Sequence, residues 1–311
     1  MKRICFTVGQ DVLPGTRIDK YLVGQEGLGT RSQLKTSLKE ITLNGKPVKA
    51  SKPVRPGDLL EITVCEPEAP RYEAREIPLD IIYEDSRVVV INKPRGMVVH
   101  PGSGEHSATL VQGLLYHVQN LAENFSSEKI RPGIIHRLDK DTSGIIIAAK
   151  DPEAHEYLSN QFRSRFVKKR YLAIVQGRLP EARGLVTGFI KRDPRHRKRF
   201  TVSAGSGRQA ETRYRVLAEC EGYTFVRLTP KTGRTHQLRV HMKSLGCPIL
   251  GDPIYGRKDE RFPLSPLMLH SRRLTLTLPG ETQKRSFTAP LPPDFADMRK
   301  SLFLLSDTDQ D

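Results

Sequence analysis

The chain contains 311 residues, of which 37% are hydrophobic and 28% are charged, and its formal net charge is +16. This length allows an extensive core and corresponds to roughly two domains. No apolar run approaches the roughly 18 residues of a membrane-spanning helix, and the basic N-terminus lacks the long apolar stretch of a secretion signal. We therefore expect a globular, cytoplasmic protein that does not associate with a membrane.

The excess positive charge is concentrated in two short blocks of sequence. A field of this sign attracts a polyanion, either nucleic acid or an anionic membrane, although a solvated basic surface gives the same bulk charge. Neither block is an uninterrupted amphipathic helix, because strand-like residues or proline interrupt each one. Closely spaced cations suit contact with phosphates, so we expect nucleic acid. The blocks consist of Arg163, Arg165, Lys168, Lys169 and Arg170, and of Lys191, Arg192, Arg195, Arg197, Lys198 and Arg199.

Neither the cysteines nor the acidic residues favour a metal site. The four cysteines are far apart and include no C-x-x-C pair, which indicates reduced thiols rather than disulfides or a zinc site. Asp139 and Asp141 have the spacing of a D-x-D motif, but the cations Arg137 and Lys140 would oppose a metal ion there. We therefore expect no bound metal.

The first 65 residues predict a small domain of two helices and several short strands. Helices are expected at 17–22 and 30–35. Residues 41–48 predict a β-hairpin, because an Asn-Gly pair at its centre favours a two-residue turn. A second turn precedes an alternating strand at 59–64.

The rest of the chain predicts a linker at 66–76, which is rich in proline and charge, and a larger α+β domain at 77–305. The polar, acidic tail at 306–311 is expected to fray. Asp151-Pro152-Glu153 has the cap, proline and acid of a helix start, and a second helix is expected at 235–245. Strands are predicted at 87–92, 144–149, 171–176 and 224–229.

The most informative segment is His-Arg-Leu-Asp-Lys-Asp-Thr-Ser-Gly at 136–144, which runs into an apolar stretch at 145–149. A continuous apolar run bounded by glycine is typical of a buried strand. Asp139 therefore stands among cations at the start of a core strand, where a polar side chain is costly unless it has a partner or a chemical task. For Asp139 alone, a structural salt bridge is the simpler interpretation.

Three further segments combine cations with turn residues. One is a Pro/Gly-rich loop at 92–102, one is a basic segment containing a tyrosine at 168–177, and one opens a basic helix at 231–241. The sequence has no Walker loop, no G-x-G-x-x-G and no H-E-x-x-H motif. Taken singly, Tyr171 fits a core residue and Arg239 a surface cation.

Together these segments resemble the RluA-type pseudouridine synthases, over about residues 78 to 292. The resemblance is carried by H-R-L-D-x-x-T-S-G at 136–144 and G-R-T-H-Q-L-R-V-H at 233–241. Residues 1–65 resemble the S4-like RNA-binding domain, with R-x-D-x-x-L at 17–22 and T-R-S-Q at 30–33. The fold that these resemblances imply is α+β, with a small α/β-hairpin S4-like domain followed by a mainly antiparallel, mixed-sheet catalytic domain.

The resemblance implies isomerisation of uridine to pseudouridine in RNA without a cofactor. Asp139 then corresponds to the catalytic carboxylate, either as a nucleophile or by promoting glycosidic cleavage. Tyr171 corresponds to the residue that stacks on the target base and assists proton removal at C5. Arg239 corresponds to the cation that pairs with the carboxylate and keeps it ionised, and Arg137 to the residue that helps displace the flipped nucleotide. The residues that we assign to substrate or RNA binding are Arg137, Lys169, Arg170, Arg234, His236 and Lys93.

The chemistry needs one ionised carboxylate and a site that excludes water, so that the detached base is not lost; we expect Ile145 and Ile147 to line it. A base-excising glycosidase is an alternative, but glycosidases use two carboxylates. Only Asp141 could supply the second one, and we assign Asp141 a local structural role.

The substrate is expected to be a large structured RNA, because a separate RNA-binding unit with 11 lysine and arginine residues precedes the larger domain. Within the family this architecture favours large-subunit ribosomal RNA, with transfer RNA as the alternative. A catalytically inactive RNA-binding or ribosome-assembly factor on the same fold is a further alternative. The presence of Asp139, Tyr171 and Arg239 argues against it. The chain is expected to act as a monomer.

Overall fold

The computed structural model describes residues 1–23, 25, 28, 34, 37–65, 73–100, 108–125, 132–196 and 199–303. The chain divides into two compact units, Met1–Arg71 and Tyr72–Asp311. Most of the predicted helix at 30–35, much of the predicted linker, residues 197 and 198 of the second basic block and the tail at 306–311 lie outside the described residues. Within the described ranges, no helix is both long and apolar enough to cross a bilayer.

The first unit contains a four-stranded antiparallel sheet in the order β1-β4-β2-β3. Asn44 and Gly45 have φ of 52° and 76°, and this left-handed pair forms the two-residue turn of the predicted hairpin, which is confirmed. Ile18 and Leu22 of the helix pack with Leu60 in one apolar core. The elements are β1 (Lys2–Thr7), α1 (Ile18–Val23), β2 (Leu38–Leu43), β3 (Lys46–Pro47) and β4 (Leu59–Val64).

The second unit is built on a ten-stranded sheet in the order β10-β9-β11-β12-β8-β13-β7-β6-β5, with β14 paired to β13. Among the described strands, only β7 and β13 run parallel, so the predicted mainly antiparallel, mixed sheet is confirmed. The strands are β5 (Ile81–Glu84), β6 (Val88–Lys93), β7 (Ser143–Ala149), β8 (Lys168–Gln176), β9 (Arg183–Arg192), β10 (Phe200–Ser203), β11 (Arg208–Cys220), β12 (Tyr223–Pro230), β13 (Leu269–Thr277) and β14 (Lys284–Thr288).

Five described helices accompany this sheet. Asp151 caps α4, since its carboxylate accepts a hydrogen bond of 2.8 Å from the backbone N–H of Ala154, which confirms the predicted start. The second predicted helix is also present, beginning two residues later than expected. The helices are α2 (Leu110–His117), α3 (Leu121–Asn124), α4 (Pro152–Arg163), α5 (Gln237–Ser244) and α6 (Pro293–Phe303).

Strand β7 lies in the interior of the second unit. Ile145 and Ile147 pack into one apolar cluster, and Ile146 and Ala148 pack into another. Because alternate side chains of a strand point to opposite faces, both faces of β7 are covered. This explains why its sequence is a continuous apolar run rather than an alternating one.

Gly144 makes the parallel pairing of β7 with β13 possible. It has φ of 108°, and a Cβ atom there would collide with the backbone of Ser271. Ser271 pairs with Gly144 on one side and with Tyr171 of β8 on the other. The glycine that ends the first motif therefore fixes the distance between the segment carrying Asp139 and the strand carrying Tyr171.

Candidate active site

A cavity of about 550 Å³ lies within the second unit. This volume is in the range of small-molecule and nucleotide sites. It is bounded by the segment before β7, the end of α4, the start of β8 and the segment that leads into α5. Among its lining residues Asp139 is the only carboxylate, and the lining cations are Arg137, Arg163, Arg165, Lys169, Lys231, Arg234 and Arg239.

Asp139 is presented by a tight turn. Its carbonyl accepts a hydrogen bond of 3.1 Å from the backbone N–H of Thr142, which is buried. The carbonyl of Lys140 accepts from the backbone N–H of Gly96 at 2.9 Å. The turn is thus tied at two points, and the Asp139 side chain, which is 20% exposed, faces the cavity.

Lys93 lies behind this turn and does not line the cavity. Its side chain is fully buried, and its Nζ donates to the carbonyls of Pro94, Met97 and Lys140 at 2.8, 2.9 and 3.1 Å. Burial lowers the pKa of Lys93 to about 7, against the attraction of Asp141 and Asp139. The sequence predicts that Lys93 binds RNA, but the structure gives its amine three backbone partners and places it as a support of the Asp139 turn.

Arg239 contacts two carboxylates with one guanidinium group. Its Nη1 lies 3.2 Å from Oδ2 of Asp139. Its Nε and Nη2 donate to the two oxygens of Asp252 at 2.7 and 2.8 Å. Burial opposes the charge of Arg239, but the hydrogen bonds and charges of Asp252 and Asp139 outweigh it and raise its pKa above the usual value. The predicted pairing of Arg239 with Asp139 is therefore present in the geometry.

Asp252 was not identified from the sequence. Its side chain is completely buried. Burial favours its neutral form, but Arg239 and the backbone N–H groups of Tyr255 and Ile254 lower its pKa below the usual value. The available signal was the Gly251-Asp252-Pro253 turn after the second motif, since a carboxylate next to two turn-forming residues is placed by the backbone.

The ring of His236 lies between Asp139 and the hydroxyl of Tyr255. It occupies the left-handed region, with φ of 56°, which is uncommon for a residue other than glycine. Its Nδ1 lies 2.9 Å from the hydroxyl of Tyr255, and its Nε2 lies 3.9 Å from Oδ2 of Asp139. The hydroxyl of Tyr255 accepts from the backbone N–H of Phe200 at 2.8 Å. Burial lowers the pKa of His236, so a neutral ring is favoured near neutral pH.

Tyr171 lines the cavity from β8. Burial raises the pKa of Tyr171 to about 12, and the negative charge of Asp139 acts in the same direction, while a hydrogen bond with Ser271 opposes them. The phenol is therefore protonated at neutral pH. Its ring supplies the aromatic face that we predicted for a base.

The predicted RNA-binding residues of β8 differ in position. Lys169 lines the cavity, and burial together with the charge of Arg234 lowers its pKa to about 8. Arg170 does not line the cavity, because successive side chains of a strand point to opposite faces; it pairs in register with Arg273 of β13. Arg137 and Arg234 do line the cavity.

His136 and Gln237, which sequence reasoning did not single out, stabilise the walls. The Nε2 of His136 accepts a hydrogen bond of 3.1 Å from the backbone N–H of Ile147, and its ring stacks on Phe162 at 4.5 Å. Burial, with a smaller effect from Lys169, lowers the pKa of His136 to about 3. The buried amide of Gln237 accepts from Thr232 at 2.7 Å and donates to the carbonyl of Glu211 at 3.0 Å.

The apolar part of the cavity differs from the prediction. Ile145 and Ile147 belong to the core under β7 and do not reach the cavity. The difference arises because both side chains point to the face of β7 that packs against Leu158 of α4 and Leu274 of β13. The apolar residues that line the cavity are Ile135, Leu138, Phe162, Leu238 and Leu269. Asp141 is also absent from the lining.

The fold and this cavity define the class of the protein. A family model described as RNA pseudouridylate synthase matches residues 87–244. The chain belongs to this family, as the two motifs predicted, and is an RNA pseudouridine synthase of the RluA type.

Individual relatives span nearly the whole chain. Ribosomal large subunit pseudouridine synthase D of Borreliella burgdorferi is 45% identical over 296 residues, which cover 93% of this chain and 90% of that protein. The protein of the same name from Pseudomonas aeruginosa is 36% identical and covers 96% of this chain and 94% of its own length. The solved structure of human RNA Pseudouridylate Synthase Domain Containing 1 has 28% identity and a TM-score of 0.57, covering 70% of this chain and 86% of that one.

Proposed function

We propose that this enzyme converts uridines of large-subunit ribosomal RNA to pseudouridine, with Asp139 as the catalytic carboxylate. The single observation that supports this role for Asp139 is that it is the only acid lining a cavity of cations, where Arg239 lies 3.2 Å away. The choice of RNA is supported by the relatives in Borreliella burgdorferi and Pseudomonas aeruginosa, whose names state the ribosomal large subunit.

The reaction exchanges one bond for another within a single nucleotide. The target uridine is extruded from the folded RNA and enters the cavity. The N1–C1′ bond breaks, the base turns, C5 bonds to C1′, C5 loses its proton and N1 gains one. The composition of the nucleotide is unchanged, so no oxidant, reductant or group donor is consumed.

The residues have distinct tasks in this proposal. Asp139 attacks the nucleotide or promotes cleavage of its glycosidic bond, and Arg239 orients the Asp139 carboxylate through the contact at 3.2 Å. Tyr171 stacks on the base while it is detached. Arg137, Lys169 and Arg234 contact the phosphates around the extruded nucleotide. The apolar lining limits the entry of water.

Asp252 acts through Arg239 rather than on the substrate. It occupies two of the guanidinium nitrogens, so that Nη1 is the one directed at Asp139. A guanidinium group held by two hydrogen bonds has a fixed plane, which the ammonium group of a lysine could not provide. We assign Asp252 as a positioning residue.

The first unit is proposed to be the S4-like RNA-binding domain, covering residues 1–65 and joined by a linker at 66–76 to the catalytic domain at 77–305. Its helix, hairpin and strand positions match the predicted pattern, and its sequence contributes 11 cations. One chain supplies Asp139, Tyr171 and Arg239, in accordance with a monomeric enzyme.

The test is tritium release from large-subunit ribosomal RNA labelled at uridine C5. We expect release by the unaltered enzyme, no release by Asp139→Ala, and release near the unaltered rate by the matched control Asp141→Asn. RNA binding without release by the unaltered enzyme would contradict the ribosomal target or the activity, and the same assay on transfer RNA separates the two. Abasic sites in the product would indicate a glycosidase.

A further inference from the structure

One face of the sheet in the second unit is exposed and basic. Strand β9 alternates between exposed and buried positions, and its outward side chains include Arg183, Leu185 and Phe189. Leu185 is 56% exposed and Phe189 is 36% exposed. Val186 and Ile190, which point the other way, are buried. The strand thus has a core face and an open face.

Arginines of two neighbouring strands lie side by side on this open face. Arg183 of β9 pairs in register with Arg215 of β11. The open face ends at β12, because Phe225, two residues from the partly buried Arg227, packs against Phe295 and Phe303 of α6. Directly paired residues have side chains on the same face, about 5 Å apart, where like charges repel. Such a pair of like charges lowers the stability of the free protein. We expect it to be retained where an anion binds.

A third arginine, Arg213, lies beside this pair. Arg213 is two residues from Arg215 on β11, so it has the same orientation, and it pairs in register with the exposed Leu185. Arg183, Arg213 and Arg215 make no ion pair with any described residue. The acids of β9 and β11 are Glu211, which is engaged by Lys231 at 3.6 Å, and the exposed Glu219, which is engaged by Arg178 at 2.9 Å.

This face lies on the other side of the sheet from Tyr171. Tyr171 of β8 pairs with Leu228 of β12, whereas the next residue along, Leu172, pairs with Arg227. Since successive side chains of a strand alternate, Arg227 points away from the side of Tyr171, and so do Arg215 and Arg183, which share its register. The basic face is therefore separate from the catalytic cavity.

We propose that the outward face of β9 and β11 is a second RNA-binding surface, which holds a part of the substrate RNA distant from the target uridine. The arginines of this face have the charge that a phosphate backbone requires. Phe189 and Leu185 offer apolar area for an unstacked base, as on other sheets that bind RNA. This inference rests on the proposed RNA substrate.

The experiment measures binding and turnover of transcribed large-subunit ribosomal RNA at several salt concentrations. The double variant Arg183→Gln/Arg215→Gln is compared with Lys258→Gln/Lys284→Gln, which removes the same charge from exposed lysines that have no described partner. Each lost phosphate contact reduces the slope of log affinity against log salt by about 1. We expect the arginine pair to reduce it by about 2 and to weaken binding about tenfold or more near 0.1 M salt, with kcat unchanged.

Phe189→Ala provides a second, independent measurement. Loss of a stacked base weakens binding about tenfold without a change in the salt dependence. Equal thermal melting of all variants establishes that they are folded. If the variant lacking the two arginines binds RNA as tightly as the variant lacking the two lysines, the inference is wrong. Absence of tritium release by the unaltered enzyme would instead contradict the proposed function.

Discussion

Arg239 is the residue on which the geometry of the cavity depends. It is buried with Asp252 on one side and contacts the partly exposed Asp139 on the other. A buried ion pair contributes little net stability, but removal of one partner leaves an uncompensated charge. The pair therefore fixes the direction of the guanidinium rather than strengthening the fold. Its effect on Asp139 is to provide a cation whose direction is set by two hydrogen bonds to Asp252.

Asp252→Asn tests this positioning role. We expect a loss of about 3 kcal/mol in the free energy of unfolding, because Arg239 loses a charged partner in the interior. We also expect a large fall in kcat with little change in RNA affinity. The matched control is Asp259→Asn, which removes a carboxylate bound by Tyr223 and Gln176 outside the cavity. Urea unfolding measures the free energy of unfolding of each variant, and single-turnover kinetics measure the chemical step. Equal kcat in the two variants would contradict the assignment.

The stability that Asp252 contributes to the folded enzyme is expected to depend on pH. The pKa of Asp252 is lowered from its usual 3.8 in the folded enzyme. A carboxylate with a depressed pKa contributes its full stability above the unfolded value and loses it as pH falls through the folded value. The stability difference between the unaltered enzyme and Asp252→Asn should therefore be largest above about pH 4 and shrink in stronger acid. A difference that grows on acidification would contradict the direction of the shift.

At the scale of elements, the contact between β7 and β13 aligns the two halves of the site. Strand β7 follows the Asp139 turn, and β13 pairs with β8, which carries Tyr171. The parallel contact is short, involving Ser143 and Gly144 of β7. Ser143 also lies 3.0 Å from Nδ1 of the buried His270. A small displacement here would change the separation between the carboxylate and the stacking ring.

Gly144→Ala tests the importance of this contact. The added Cβ would collide with Ser271, and φ of 108° is strained for alanine. We expect a destabilisation of more than about 1 kcal/mol and a fall in tritium release. Gly96→Ala is the matched control, since it has φ of 83° but no atom within 4 Å of the added Cβ. Denaturant unfolding compares the two; equal losses would show that backbone strain alone is responsible.

At the scale of the whole molecule, the two compact units have separate cores. All the residues that line the cavity belong to the second unit. The first unit adds positive charge but no residue of the cavity. This division predicts that affinity for a structured RNA and the chemical step can be separated by truncation.

A chain beginning at Tyr72 tests the division. We expect it to fold, to release tritium from RNA under saturating conditions, and to bind large-subunit ribosomal RNA at least about tenfold more weakly, because electrostatic contacts dominate such affinities. Circular dichroism checks the fold, and filter binding gives the affinity. Unchanged affinity of the truncated enzyme would refute the assignment of the first unit to RNA binding.

Local signals in the sequence predicted the elements well. The Asn-Gly turn of the hairpin, the Asp-Pro-Glu start of α4 and the apolar run of β7 depend on residues that are neighbours in the chain. The resemblance to the family brought Asp139, Tyr171 and Arg239 together, and the structure places all three around one cavity.

Only the tertiary structure decided which polar groups face the cavity and which support it. Lys93 resembled an RNA-binding cation in sequence, but its amine is enclosed by three carbonyls of folded loops. The residues around Asp252 predict a turn, but they do not indicate that Asp252 pairs with Arg239, which is 13 residues away. The partner of a buried charge is set by packing between segments that are distant in sequence. A single sequence does not show which of its residues are in contact. The sequence by itself determined the elements and the family; the packing determined how the one acid is held.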